Sequence, residues 1–110
     1  MGKVLHDTSR LTEEYRSGVR RLMDFTTVLN IVEFPKALEL SGLNILYPTR
    51  VDYSLAIQVS KELLKLGKPI PAIDVIVAAV ALNNGLTVKT KDHHFTLIKD
   101  VKPGFKIQLL

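Results

Sequence analysis

Cysteine is absent from this chain of 110 residues. That one absence excludes disulfides, thiolate metal sites and cysteine nucleophiles together, and it fits a reducing, cytoplasmic setting. Long hydrophobic runs are also missing. The longest unbroken apolar stretch, Val75 to Leu82, is eight residues, against the roughly 20 that a membrane span needs. The N-terminal stretch has no apolar signal-peptide core. Met1-Gly2 has the form of an acylation start, but His6 stands at the sixth position where that motif places Ser or Thr. No Gly-x-Ser-x-Gly elbow surrounds Ser9 or Ser17, so a serine hydrolase has no support. The three histidines, His6, His93 and His94, contain no i, i+4 pair of the kind that holds zinc on a helix. There is no internal repeat, low-complexity tract or linker-like segment.

What is present is ordinary globular material. Hydrophobic residues make up 46% of the chain, enough for one core in one domain spanning 1–110. Fifteen basic residues against 11 acidic ones leave a net charge of +4, which favours acidic partners such as nucleic acid without requiring them.

The patterning alternates between strand and helix. Lys3–His6 is a short strand leading into the polar turn Asp7-Thr8-Ser9. From Leu11 to Met23, apolar residues at spacings of three and four predict an amphipathic helix. Thr26–Leu29 reads as a β-branched strand, and Ile31 to about Leu40 as a helix ended by Ser41-Gly42, with Pro35 tolerable only in its first turn. Asn44–Tyr47 is extended. Thr49 or Asp52 can cap the next helix, whose stripe is Leu55, Ala56, Val59, Leu63 and Leu66 and whose end is Gly67. Ala72–Asn83 has four alanines, proline before it and glycine after it, which makes it a buried helix despite its strand-like apolarity. Leu86–Thr90 and Phe105–Leu109 are the last strands. Alternation of this kind predicts an α/β fold, a central parallel sheet with helices on both faces.

In such sheets ligands bind beyond the carboxyl ends of the strands, where the strand order reverses. Asp7 follows the first strand and Asp92 follows Leu86–Thr90. Glu33 and Asp74 are expected in the first turns of two helices. Each has an ordinary explanation. First-turn carboxylates gain roughly 0.3–1 kcal/mol from the helix dipole, and Asp7 and Asp92 suit Asx turns. Asp74, however, lies between Ile73 and Val75 in the most apolar part of the chain, where an isolated charge is costly. Clustered carboxylates repel each other, and a divalent cation relieves that repulsion, with oxygen ligands favouring Mg²⁺ or Mn²⁺ over zinc.

Four stretches together resemble the PIN domain, and among PIN domains the VapC-type toxins of toxin–antitoxin pairs. They are Asp7-Thr8-Ser9 followed by Leu11 and Tyr15, Val28 to Phe34 around Glu33, Gly67 to Ala79 around Asp74, and Asn84 to Phe95 around Asp92. They run in order over nearly the whole chain, and Gly67 to Phe95 is the most specific part. The resemblance implies a three-layer sandwich and a ribonuclease dependent on Mg²⁺ or Mn²⁺. On it, Asp7, Glu33, Asp74 and Asp92 match the acidic positions that hold the metal and carry catalysis. Thr8, Ser9 and Thr90 match the accompanying hydroxyl positions on the substrate side. It further implies an RNA substrate, a cognate antitoxin protein and a homodimer.

Three departures stand out. Many members read Thr-Arg-Asp-x-Asp-Phe where this chain ends Thr90-Lys91-Asp92-His93-His94-Phe95, so His94 replaces a carboxylate and becomes a possible nitrogen ligand. Asp7 and Glu33 are 26 positions apart, so the first helix and its loop are expected to be trimmed. Arg10 stands where an apolar residue is commoner. Arg16, Arg20 and Arg21 are expected on one helical face, normally a solvated one. Lys65, Lys68 and Lys91 flank the expected site more closely, and Lys68 and Lys91 are candidate phosphate contacts. Two further functions remain open: an RNA-processing PIN nuclease outside any toxin pair, and a degenerate PIN module that serves as a binding or assembly partner.

Overall fold

The computed structural model describes residues 3–110, so Met1 and Gly2, the rejected acylation start, lie outside the described residues. Five short strands form one sheet: β1 (Val4–His6), β2 (Phe25–Thr27), β3 (Asn44–Leu46), β4 (Thr87–Thr90) and β5 (Lys106–Leu109). Their order is β3-β2-β1-β4-β5, and every pairing is parallel. The chain builds outward from β1 to β2 and β3, then crosses back to place β4 on the other side of β1. The strand order therefore reverses between β1 and β4. Their register, Val4 opposite Thr87 and His6 opposite Lys89, brings both carboxyl ends to one rim.

Helices α1 (Thr8–Arg16), α2 (Val28–Glu33), α3 (Arg50–Lys65), α4 (Ala72–Asn84) and α5 (Ile98–Val101) cover the sheet as a three-layer α/β sandwich, as expected. Helix α4 is apolar through its middle because its middle is buried: Val77, Ala78, Ala79 and Ala81 have no exposed surface. Small alanines let it lie close to the sheet and to α3. Gly85, at φ 65°, ends it in the left-handed conformation that a residue with Cβ adopts at a cost. The larger core joins α3 and α4 to Leu5, Val88, Phe95, Ile98 and Phe105. A smaller cluster of Leu11, Ile31, Ala37 and Leu40 lies under α1 and α2. Among the described residues no helix is long and apolar enough to cross a membrane.

Three local expectations are corrected. The first helix stops at Arg16 instead of Met23. Ser17 caps it, and Gly18 leaves at φ 97°. Leu22 packs on the same apolar cluster as Leu11, but from an extended segment tied to Ser41. Burial from two kinds of backbone thus imitated one helical period. Arg16, Arg20 and Arg21 consequently do not share a helical face, and Arg20 stacks on the Tyr15 ring at 3.8 Å. Next, β2 ends at Thr27 because Thr27 and Asn30 form a reciprocal capping box that starts α2 at Val28. Finally, the helix expected from Ile31 to Leu40 breaks at Phe34. Proline disfavours α geometry in the residue before it, and Phe34 sits at φ −142°, ψ 78°, with a 3-10 turn following over Pro35–Glu39. Glu33 is therefore the last residue of α2, not a first-turn residue.

Candidate metal centre

Asp7 leaves β1 at the strand-order reversal and N-caps α1 without using its side chain as the cap. Its carboxylate is buried, 5% exposed, and every bond it accepts comes from neighbouring elements. Asn30 Nδ2 donates to Oδ1 at 3.2 Å, while Thr90 Oγ1 at 2.8 Å and Ser9 Oγ at 3.3 Å donate to Oδ2. Burial pushes the Asp7 carboxyl above the usual carboxylate range. The hydroxyl donors pull it back in part, and the charge of Asp92 pushes it up again.

Thr90 ends β4 and works in two directions. It donates to Asp7 and accepts from the backbone N–H of Asp92 at 2.9 Å. That bond fixes the turn in which Asp92 caps the 3-10 segment His93–Leu97, accepting from His94 N at 2.9 Å. Asp74, in the first turn of α4, completes the rim. Its carboxyl is raised to about 6, first by burial and then by the negative charges of Asp7, Asp92 and Glu33, with His94 opposing. Asp74 and Asp92 meet at His94, and Asp92 is joined to Asp7 through Thr90, so the three acids converge by contact as well as by charge.

Glu33 is exposed, at the end of α2. It joins the rim through Thr8, whose Oγ1 donates to Glu33 Oε1 at 2.6 Å and accepts from Asn30 Nδ2 at 2.9 Å. Asn30 is the residue that sequence reading missed. It is fully buried and links Asp7, Thr8 and Thr27 in one network. The signal was the spacing Thr27-x-x-Asn30, which has the form of a capping box.

His94 reaches into the site. Its Nδ1 lies 3.2 Å from Asp92 Oδ1 and 3.7 Å from Asp74 Oδ2. Single donor atoms of Asp74, Asp92 and His94 fall within 4.8 Å of one another, a spread that one divalent ion can bridge. Accumulated negative charge and converging donors fit such an ion.

The two lysines behave differently. Lys91 donates its backbone N–H to Ser9 Oγ at 3.0 Å, and its ammonium pairs with Glu13 at 3.0 Å. With Ser9, Thr12, Arg16 and Ser17 these two line a surface depression of about 670 Å³ beside the carboxylates. Lys68 pairs with Asp100 at 3.0 Å and touches none of the four acids. His93 takes no part in the donor cluster. His6 is buried and its Nε2 donates to the Met23 carbonyl at 2.9 Å.

No protein-family model and no curated protein matches the chain in sequence. Solved structures do match its shape. The chain resembles one in the DNA-bound VapBC of Salmonella typhimurium, with TM-score 0.72, 21% identity and 98% of each chain covered. It also resembles one in VapBC-5 of Mycobacterium tuberculosis, a member of the VapBC family of toxin–antitoxin systems, with TM-score 0.73, 18% identity and coverage of 98% and 99%. A third likeness is to VapBC2 of Rickettsia felis bound to a promoter DNA fragment, with TM-score 0.72, 15% identity and coverage of 96% and 97%. The fold is PIN-like. In this PIN-like chain the acidic rim occupies the crevice where an open parallel sheet receives its ligands.

Proposed function

We propose that the chain is a metal-dependent endoribonuclease that hydrolyses RNA phosphodiester bonds, and that it acts in the cytoplasm as the toxin of a toxin–antitoxin pair. The observation that carries this is the convergence of Asp7, Asp74 and Asp92, with Glu33 tied in through Thr8, at the strand-order reversal of a PIN-like fold. Asp74, Asp92 and His94 would hold the metal, Mg²⁺ or Mn²⁺, with Asp7 and Glu33 adding charge and orienting groups around it. A divalent ion bound there supplies Lewis acidity toward a phosphate oxygen and a more acidic water.

The protein's own part is positional. Thr90, Ser9 and Asn30 hold the Asp7 carboxylate in one orientation. Thr8 holds Glu33. Arg16, and Lys91 once it leaves Glu13, offer cationic contacts to the RNA backbone from the depression beside the rim, in keeping with the basic balance of the chain. Lys68 belongs to that role only if it leaves Asp100. The VapBC neighbours support an antitoxin partner, and the exposed apolar side chains Val51, Tyr53, Ile57 and Leu64 on α3 offer area for it or for a second copy in a homodimer.

The replacement of a family carboxylate by His94 favours one other reading, a PIN-like module that binds partners and cleaves nothing. Incubating single-stranded RNA with the purified chain and Mn²⁺ or Mg²⁺ decides between them. Metal-dependent cleavage that disappears in Asp7→Asn and Asp74→Asn supports the nuclease. Absence of cleavage with either metal, in a chain shown to be folded, supports the binding module.

A further inference from the structure

The donor set Asp74, Asp92 and His94 contains two carboxylates and one imidazole, and the turn that presents the imidazole is set by its own neighbour. Asp92 Oδ1 accepts the backbone N–H of His94 at 2.9 Å and lies 3.2 Å from its Nδ1. One carboxylate oxygen therefore fixes the turn that brings the imidazole nitrogen beside the carboxylates. The side chain is 53% exposed, with its Nδ1 also 3.7 Å from Asp74 Oδ2.

We propose that His94 is a metal ligand that sets metal choice, giving this site a preference for Mn²⁺ over Mg²⁺. This rests on the metal-dependent nuclease reading and deepens it. Mg²⁺ gives up its water shell reluctantly and takes oxygen ligands almost exclusively. Affinity for mixed nitrogen and oxygen sites rises through the first transition row from Mn²⁺ onward. Exchanging a carboxylate for a neutral imidazole lowers the site's charge, which weakens its hold on both ions. The nitrogen lone pair then restores affinity to Mn²⁺ and not to Mg²⁺. The two ions separate because of one residue.

The test uses the whole chain without RNA, with Mn²⁺ alone and Mg²⁺ alone as probes. Calorimetric titration should give tighter Mn²⁺ than Mg²⁺ binding in the wild type. His94→Ala should weaken Mn²⁺ by at least about tenfold, the lower end of what even outer-sphere partners of a metal site contribute, and change Mg²⁺ much less. His94→Asp, which restores a carboxylate, should strengthen Mg²⁺ and close the gap. Pulsed electron paramagnetic resonance of the Mn²⁺ complex should show a directly coordinated nitrogen in the wild type and in His93→Ala, but not in His94→Ala. Normal Mn²⁺ binding without that nitrogen signal overturns the assignment of His94 and leaves the nuclease reading intact. Stronger Mn²⁺ binding in His94→Ala would make His94 a competing cation and also overturns it. If the wild type binds neither ion, the metal site as a whole falls, and the inference with it.

Discussion

Asp74→Asn should stabilise the protein above neutral pH while abolishing the proposed activity. The carboxyl of Asp74 is shifted from 3.8 to about 6. The native state therefore holds this proton more tightly than the unfolded chain does, so the stability conferred by the protonated form is complete below pH 3.8 and is lost as pH rises through about 6. At 1.36 kcal/mol per pKa unit the full shift corresponds to about 3 kcal/mol at most. Solvent at the rim reduces both the burial penalty and the repulsion, so ~1–2 kcal/mol is the expected gain. Asparagine keeps the shape and removes the charge. Urea unfolding of both proteins, without divalent metal, should show nearly equal stability near pH 4, a gap that opens between pH 4 and 6, and a constant gap above about pH 7. Saturating Mn²⁺ should reverse the order, because ion at ~100 times its Kd adds about 2.7 kcal/mol to the wild type and much less to the variant. A gap independent of pH, or a variant less stable than wild type at pH 8 without metal, would refute the reasoning, since either means that burial and the neighbouring acids do not disfavour the Asp74 charge in the native state.

Asn30→Ala should cost about 2–4 kcal/mol in chemical denaturation, because it strips a donor from buried Asp7, an acceptor from Thr27 and the start of α2 at once. Thr90→Val keeps the size and β-branching but removes the hydroxyl between Asp7 and Asp92 N. It should cost about 1–3 kcal/mol, and the Asp7 carboxyl, followed by carbon-13 NMR against pH, should titrate still higher than in the wild type. Phe95→Ala empties a fully buried position beside Phe105, whose ring centroid lies 6.3 Å away. It should cost about 3–5 kcal/mol in the same unfolding assay, independent of pH and metal, which separates core damage from site chemistry.

The layer order was legible in the sequence because each long element stated itself twice, by period and by punctuation. Helix α4 is the clearest case: proline before it, glycine after it, and alanines where the sheet and α3 approach. What was not legible depended on contacts between distant residues. Nothing local to Val19–Met23 reveals that Ser41 claims the backbone of Leu22 and keeps it extended. Nothing local to Glu33 shows that the helix containing it starts at Val28, because that start is set by the reciprocal bonds of Thr27 and Asn30. The candidate acids were easier to find than their supports. Asp7 and Asp92 follow strands and Asp74 opens a helix, positions that topology alone brings to one rim, whereas Asn30 lies within a helix and draws attention only once its partners are known.

The acids and their supports also differ in what they do to the fold, and this bears on how the site is read. Thr90, Ser9 and Asn30 donate hydrogen bonds to Asp7, and the two hydroxyls lower its carboxyl, yet burial and Asp92 still leave it raised. Among the described residues no hydroxyl donates to Asp74, and the group set against its repulsion is His94, itself more than half exposed. A site that served only to close a helix would place its acids apart, where the dipole rewards each one separately. Here Asp7, Glu33 and Asp92 are tied into one network that includes a fully buried asparagine, and Asp74 faces them against mutual repulsion. Such an arrangement is destabilising in the bare protein and is relieved by a bound cation. The same feature explains why removing Asp74 should strengthen the fold and weaken the function together.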